Sequence, residues 1–284
     1  MGENIKNVEF SKDVLLGFEV KNLDYVRSHP SYFRGIRIAR FYQIVWVESG
    51  SANFTIDFEQ VEVRAGQMLL IAPDRSYTFD TTSYYNGRLI IFTRLFLEQS
   101  PSDEEFVRSS VLLNPVLKNP VVDVNQQLML HYLALLDTEV NLPACTIQQR
   151  IVQGLLITLL MNAERTICDE AASLPTRFDR PVRCQFSNDV EQYFKKQRSV
   201  EFYCSRLGMT DKALKKTIMM YIGKSPKEYI NERVILEAKR LLCYNDVSVK
   251  EIAYELGFSD DSNFYKFFLK HTGLTPLAFR RIYR

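Results

Sequence analysis

The sequence predicts a multi-domain α+β protein, with an N-terminal antiparallel β-barrel or sandwich that carries two helices, followed by a C-terminal domain made only of helices. Residues 36–97 contain several short strand-like segments with regular turns, and nearly everything after residue 185 has a helical pattern. Between them, residues 168–185 show no apolar periodicity and contain Pro175 and Pro181. We therefore expect domains at 1–167 and 186–284, joined by a linker at 168–185.

The strands of the first domain are marked by alternating or short apolar runs beside turn residues. Residues 44–47 and 52–58 flank Glu48, Ser49 and Gly50, which predicts a hairpin with its turn at 48–50. Three further features extend the sheet: a turn at 64–67 before the apolar run 68–72, a turn at Pro73 and Asp74, and a strand at 88–92.

Two helices are expected after the strands, at residues 124–140 and 147–165. The second has two parallel apolar rows, one of Ile147, Ile151, Leu155 and Leu159 and the other of Val152, Leu156 and Leu160. This wide stripe either packs on the protein's own barrel or forms the seam of a homodimer. We expect a homodimer.

Charge is distributed unevenly along the chain. Residues 181–284 carry nineteen basic and twelve acidic side chains, a net charge of +7, whereas residues 1–180 carry −5. A basic C-terminal third beside an acidic body indicates a polyanionic partner for that third.

Several classes of protein are excluded by composition. The five cysteines have no C-x-x-C spacing and are expected to be reduced. His29, His131 and His271 lie far apart, so no metal site or other cofactor is expected. The chain start does not resemble a signal peptide, and no apolar stretch is long enough to span a bilayer. We expect a cytoplasmic protein with no membrane partner.

The C-terminal domain contains an internal repeat, the strongest signal in the sequence. Residues 206–211 (RLGMTD) correspond to residues 255–260 (ELGFSD), and residues 223–226 (GKSP) correspond to residues 273–276 (GLTP). Each copy fits a helix-turn-helix motif, with first helices at 200–207 and 249–256.

The turn and core residues of the two copies play matching parts. Gly208 and Gly257 are expected to take the positive φ that ends each first helix, and Thr210 and Ser259 to cap each second helix. Within the second helices, the pairs at i and i+4 face the core; they are Leu214 with Ile218 and Phe264 with Phe268.

A longer helix is expected to join the two motifs. Ser225, Pro226 and Glu228 form a capping box with proline at the first helical position, and the helix should run to about Leu242. A second capping box begins at Ser248. A helix of this length can hold two recognition helices near the ~34 Å repeat of successive major grooves.

With these residues, the C-terminal domain resembles the AraC/XylS family of transcription regulators. The resemblance covers residues 186–284 and is carried by residues 252–253, 256–260, 262, 264, 268, 273 and 275–276. It implies that double-stranded DNA is bound by Thr210, Lys212, Lys215, Lys216, Ser259, Ser262, Asn263, Lys266 and Lys270. The sequence departs from the family at Met219 and Leu269, where lysine is common, and Lys270 is the expected substitute.

The N-terminal domain resembles, more loosely, the cupin-like effector and dimerisation domain of such regulators. The match rests on residues 42–50, 65–67 and 73–77. It implies a small-molecule effector in the barrel, and the candidate lining residues are Arg37, Arg40, Tyr42, Trp46, Tyr77 and Arg88.

The sequence therefore predicts a transcription regulator that is not an enzyme and that responds to an effector. If it is an activator, RNA polymerase is a further partner. The alternatives are a constitutive DNA-binding regulator controlled by a protein partner, a helical adaptor with an incidental repeat, and a DNA-repair enzyme. The last needs an activated cysteine, and no cysteine here has a suitable sequence setting.

Overall fold

The computed structural model describes residues 6–8, 17–110, 112–113, 121–143, 145, 147–170 and 179–283. The chain forms two compact units that divide between Pro175 and Thr176, within the predicted linker. A helix of the N-terminal unit reaches Glu170, and a helix of the C-terminal unit begins at Asp179, so both ends of the predicted linker at 168–185 are helical. Pro181 is the third residue of that second helix, where a backbone N–H has no partner within the helix. Residues 171–178, with Pro175, lie outside the described residues.

The described part of the N-terminal unit contains a nine-stranded sheet, in which only the β1–β3 pair is parallel, and six helices. The strands are β1 Lys6–Val8, β2 Phe18–Asn22, β3 Arg37–Ala39, β4 Tyr42–Ile56, β5 Glu59–Arg64, β6 Gln67–Ile71, β7 Ser76–Thr78, β8 Tyr85–Phe92 and β9 Val121–Asp123. One half of the sheet contains β1, β3, β5 and β7, and the other contains β2, β6, β8 and β9. The long strand β4 pairs with β5 and β7 of the first half and with β6 and β8 of the second, so it belongs to both halves.

The prediction of a hairpin turn at residues 48–50 is wrong. β4 continues through these residues, and its register with β8 shifts between Val47 and Ser49, as expected of a β-bulge. Gly50, with φ of +81°, remains paired with Tyr85. The glycine thus bends a continuous strand rather than reversing it.

The chain reverses instead at Asp57 and Phe58, between β4 and β5. Ile56 pairs with Glu59, and the two residues of the turn both have positive φ, as a type I′ hairpin requires. The buried carboxylate of Asp57 accepts hydrogen bonds from Arg75 Nη1 (2.9 Å) and the Ser76 backbone N–H (3.1 Å). These bonds to a segment eighteen and nineteen residues further on hold the turn.

The two faces of the sheet bury different cores. The inner face packs strands from both halves of the sheet against each other, with Val45, Phe54, Ile71 and Leu89 among its buried residues. The outer face is covered by the last four of six helices, whereas Val26 and Phe33 of the first two helices lie in the inner core. The helices of the N-terminal unit are α1 Asp24–Ser28, α2 Pro30–Phe33, α3 Arg94–Leu97, α4 Pro101–Ser109, α5 Gln126–Val140 and α6 Gln148–Glu170.

Helix α6 buries most of the apolar stripe that the sequence offered as a dimer seam. The row of Val152, Leu156 and Leu160 is buried in the same core as the outer face of the sheet, together with Leu159. Ile147 and Ile151 of the other row remain exposed, and Leu155 is partly buried. The surface left for a second copy is therefore narrower than the sequence pattern suggests.

The described residues of the C-terminal unit form helices joined by short turns. Its helices are α7 Asp179–Tyr193, α8 Val200–Leu207, α9 Asp211–Ile222, α10 Pro226–Tyr244, α11 Val249–Glu255, α12 Asp261–Thr272 and α13 Pro276–Tyr283. Phe186 of α7 packs against Tyr203 and Tyr229, and Tyr229 donates a hydrogen bond to Ser187 Oγ (2.8 Å). This aromatic core places α7 against the first motif and α10.

Candidate nucleic-acid interface

The first helix-turn-helix motif consists of α8 and α9. Gly208 ends α8 in the left-handed conformation, with φ of +62°, as predicted. Thr210 precedes α9, and its hydroxyl accepts a hydrogen bond from the Ala213 backbone N–H. Leu214 and Ile218 are fully buried, so the opposite side of α9 faces solvent.

The second motif consists of α11 and α12 and follows the same plan with one difference. Gly257 has φ of +72°, and Phe264 and Phe268 are fully buried, as predicted. The cap of α12, however, is Asp260 rather than Ser259, because the Asp260 carboxylate accepts from the Asn263 backbone N–H (2.7 Å). Ser259 Oγ instead contacts the side chains of Asp260 and Asn263.

The predicted DNA-contacting side chains all lie on the exposed surface of the two motifs. They are Thr210, Lys212, Lys215, Lys216, Ser259, Ser262, Asn263, Lys266 and Lys270. Within the described residues, none of the five lysines in this set forms an ion pair, whereas Lys195 and Lys224 each do. Five unneutralised cations on one pair of helices favour binding of a polyanion.

Two exposed apolar side chains accompany these lysines. Met219 on α9 and Leu269 on α12 follow directly after the last core residue of each helix and are 44% and 46% exposed. Each lies three residues after a lysine, Lys216 or Lys266, and thus on the same helical face. The sequence singled out these positions only for the lysines they lack. Their matched exposure in both motifs suits contact with thymine methyl groups in the major groove.

Helix α10 joins the motifs and is fixed at its start and along its length. Both predicted capping boxes are present, and hydrogen bonds from Ser225 and Ser248 hold the pKa values of Glu228 and Glu251 below the ordinary range. The nineteen residues of α10 extend for about 28 Å.

A buried charge cluster anchors the middle of α10. Arg233 donates to Glu191 of α7 (2.8 Å) and to Glu237 of α10 (3.0 Å), and its guanidinium lies 4.0 Å from the centroid of the Phe194 ring. Burial alone would lower the pKa of Arg233, but the two carboxylates outweigh it and raise that pKa. α10 is therefore held to α7 by a paired, largely desolvated guanidinium.

The six candidate effector-lining residues do not lie together. Tyr42 and Trp46 are buried on the outer sheet face beneath the helices. Burial raises the pKa of Tyr42 to about 12, so its phenol stays protonated. Arg88 pairs with Trp46 across β4 and β8 and binds Asp137 of α5 (3.2 Å).

The other three candidates occupy different surroundings. Arg37 and Tyr77 are buried cross-strand partners on β3 and β7, with Tyr77 in the inner core, whereas Arg40 is exposed. The predicted single lining is thus divided between two faces of the sheet and the surface. The sequence could not show this, because β-strand alternation assigns a face only when the register is known.

Aromatic side chains fill much of the inner core of the sheet. Phe79 contacts Phe33, Phe54 and Tyr77 edge to face, with ring centroids 5.2 to 5.7 Å apart. The Arg37 guanidinium lies 5.0 Å from the centroid of the Phe33 ring. Any ligand of the inner core would meet these rings.

The described part of the chain contains neither a metal-binding cluster nor a membrane-spanning helix. No group of three or more His, Cys, Asp or Glu side chains there is arranged to hold a metal ion. No helix among the described residues has the length and apolarity needed to cross a membrane.

Comparison with known families and proteins agrees with both halves of this architecture. The profile of the family described as "AraC-like ligand binding domain" matches residues 25–160, and that of "Helix-turn-helix domain" matches residues 203–282. Neither is an enzyme family, as the sequence predicts.

Similar proteins fall into the same group. The transcriptional activator RhaS of Salmonella schwarzengrund is 27% identical over 92 residues, which is 32% of this chain and 33% of RhaS, so the match spans about a third of that relative. The regulator YisR of Bacillus subtilis is 21% identical over 262 residues, covering 87% of this chain and 88% of YisR.

Among solved structures, ToxT of Vibrio cholerae aligns over 94% of this chain and 99% of its own, with 15% identity and a TM-score of 0.43. The two family matches follow one another along the chain in the same order as the two compact units. With its ligand-binding type of domain followed by a double helix-turn-helix domain, the chain belongs to the AraC family of transcription regulators.

Proposed function

We propose that this protein binds double-stranded DNA by inserting α9 and α12 into successive major grooves. The observation that carries the proposal is the pair of exposed helices with five unpaired lysines, presented by two motifs that share one buried framework. Lys212, Lys215, Lys216, Lys266 and Lys270 meet phosphates or guanines, and Thr210, Ser259, Ser262 and Asn263 contact the backbone or base edges.

The test is DNA affinity after removal of single lysines, measured on a duplex selected by the full-length protein from a random library. Lys216→Ala and Lys266→Ala should each weaken binding by about 1–3 kcal/mol if the lysine contacts a guanine. A lysine that contacts only phosphate should instead reduce the slope of affinity against salt by about one.

Lys224→Ala is the matched control, because the Lys224 ammonium is already paired with Glu232 (2.6 Å). It should change affinity least. Unchanged dissociation constants for both recognition-helix variants would refute the proposed docking.

We propose further that a small-molecule effector bound by the N-terminal unit controls this DNA binding. The family description of that unit as a ligand-binding domain supports the proposal. Arg37 and Tyr77 are the candidate residues on the inner side, and Tyr42, Trp46 and Arg88 those beneath the helices. RhaS is named an activator, and by analogy we propose activation with RNA polymerase as a partner in the cytoplasm.

A constitutive regulator controlled by a protein partner is the second candidate, favoured by the aromatic packing of the inner core. The two are distinguished with protein that is unfolded, stripped of small molecules and refolded. Effector control predicts that DNA affinity falls and returns when a small-molecule extract of the cells is added. Undiminished affinity of the stripped protein, insensitive to the extract, supports the second candidate.

We propose that the protein is a homodimer that pairs through the exposed side of α6 and through Ile147, which directly precedes it. Ile147 and Ile151 are 64% and 41% exposed and lie one turn apart, with Leu155 partly buried beyond them. Dimerisation would place four motifs on paired sites and raise affinity through effective concentration.

A further inference from the structure

The turn between α7 and α8, residues 194–199, reaches from the first motif to the second. Lys195 Nζ lies 2.7 Å from Glu255 Oε1 at the end of α11 and 3.4 Å from Glu237 Oε1 of α10. Burial acts to lower the pKa of Lys195, but its bond to Glu255 and the charge of Glu237 raise it overall. The ammonium is therefore charged, and it connects the turn that precedes the first motif to α10 and to α11 of the second motif.

Arg198 of the same turn contacts the turn of the second motif directly. Its Nη2 donates to the carbonyl oxygen of Gly257 (2.8 Å), and its guanidinium carbon lies 3.8 Å from the centroid of the Phe258 ring. Phe258 is buried and packs edge to face on Phe264, with ring centroids 5.3 Å apart. The contact thus extends from Arg198 to the buried side of recognition helix α12.

The backbone of Arg198 is tied to two more elements. Its carbonyl oxygen accepts a hydrogen bond from Lys227 Nζ (2.8 Å) in the first turn of α10. The next residue, Ser199, caps α8 by accepting from the Phe202 backbone N–H. Arg198 and its neighbour Ser199 are therefore connected to the start of the first motif, the start of the joining helix and the turn of the second motif.

The two turns approach so closely that a side chain at position 257 would force one of them to move. A Cβ atom there would lie well inside van der Waals contact with the Lys195 carbonyl oxygen. Gly208, in the equivalent turn of the first motif, has no atom within 4 Å of such a Cβ. The close approach is therefore a feature of the contact between motifs and not of the turn itself.

We propose that Arg198 is a positioning residue that fixes the second motif against the first and so sets the spacing of the two half-sites that one chain recognises. The inference rests on the proposed DNA function. Helix α10 joins the motifs along the chain and packs against helices of both, and Arg280 of α13 donates to the carbonyl oxygen of Leu242 (3.0 Å). Arg198 and Lys195 add a direct contact between the turn that precedes the first motif and the second motif, which restricts rotation of the second motif before DNA is bound.

The experiment measures spacing preference with the full-length protein. The probes are a duplex that the wild type selects from a random library, the same duplex with two base pairs inserted between its half-sites, and duplexes with one half-site. The insertion rotates the second groove by about 70° relative to the first. The wild type should lose about a hundredfold in affinity on insertion, because its two motifs can then no longer bind both half-sites at once and the gain from effective concentration is lost.

The variants are Arg198→Ala and Arg198→Lys, since lysine keeps the charge but lacks the planar group that stacks and donates here. Each should bind the selected duplex about tenfold more weakly and lose less than about fivefold on insertion. Arg206→Ala is the matched control. Arg206 stacks on Tyr193 (4.6 Å) and pairs with Asp189 (3.2 Å), both within α7. It should keep the spacing preference of the wild type.

Wild-type spacing dependence in both Arg198 variants overturns the inference and leaves the DNA function intact. Equal losses on one-half-site duplexes, with a smaller salt slope, also overturn it, because they identify Arg198 as a phosphate contact. If Arg198→Ala does not fold, Arg198→Lys and Glu255→Gln decide by the same criterion. A wild type that selects no duplex removes the proposed function and this inference with it.

Discussion

The contact between the two turns can be tested for its energy by placing alanine at Gly257 and, as a matched control, at Gly208. Both glycines are left-handed, with φ of +72° and +62°. An alanine in this conformation costs about 1–2 kcal/mol, partly offset by about 0.4–1 kcal/mol from the stiffer unfolded chain. Gly208→Ala should therefore destabilise the C-terminal unit by about 1 kcal/mol.

Gly257→Ala carries a second cost, because the new methyl group would meet the Lys195 carbonyl. Relieving the overlap moves the turn that carries Lys195 and Arg198, an overpacking change that costs about 1–3 kcal/mol. The total should be about 2–4 kcal/mol. The difference between the two variants isolates the contact between motifs.

Urea unfolding of the full-length protein, followed by circular dichroism of the helices, measures both variants. The single tryptophan, Trp46, is fully buried in the N-terminal unit, so its fluorescence transition serves as an internal control and should not change. Equal destabilisation by the two alanines would refute the steric argument.

Three further predictions concern DNA reading, acid sensitivity and assembly. Met219→Ala and Leu269→Ala should each weaken binding at one thymine, and replacing that thymine by uracil should weaken the wild type and not the variant; a uracil effect that persists in the variant contradicts the methyl contact. Burial acts to raise the pKa of Glu237, but Arg233 holds that pKa below 4.5, so the C-terminal unit should lose stability as pH falls below about 4.5. In urea titrations, Glu237→Gln should be less stable than the wild type at neutral pH and should lose less of its free energy of unfolding on acidification. Ile151→Glu should give a folded monomer by sedimentation, whereas Leu156→Glu, in the buried row, should unfold the N-terminal unit; a dimeric Ile151→Glu variant argues against the α6 interface.

Much of the C-terminal unit could be predicted because its signals are local. A capping residue, a glycine and a pair of apolar residues one turn apart lie within a dozen positions of each other, and each fixes one end or one face of a helix. The one misplaced cap, Ser259 in place of Asp260, arose because both neighbours are good capping residues. Only their backbone geometry decides between them.

Where the prediction was wrong or incomplete, distant contacts determine the outcome. Gly50 looks like a turn residue, yet the bulge opposite β8 keeps it in a strand. The actual turn has no glycine, and Asp57 is held there by Arg75 and Ser76 from another segment. Likewise, Arg198 and Gly257 are separated by 59 residues, so no local pattern could pair them.

The two recognition helices have matching buried positions but different exposed side chains. Lys212 of α9 occupies the position that Ser262 holds in α12, and Lys215 the position of Tyr265. The two motifs of a single chain would thus contact different bases, and the DNA site of one chain would be directional rather than palindromic. Reversing that site in front of a gene would offer each helix the wrong bases, or turn the opposite end of the protein toward the start of transcription. The site of each chain should therefore be asymmetric in sequence, also where a homodimer occupies two such sites.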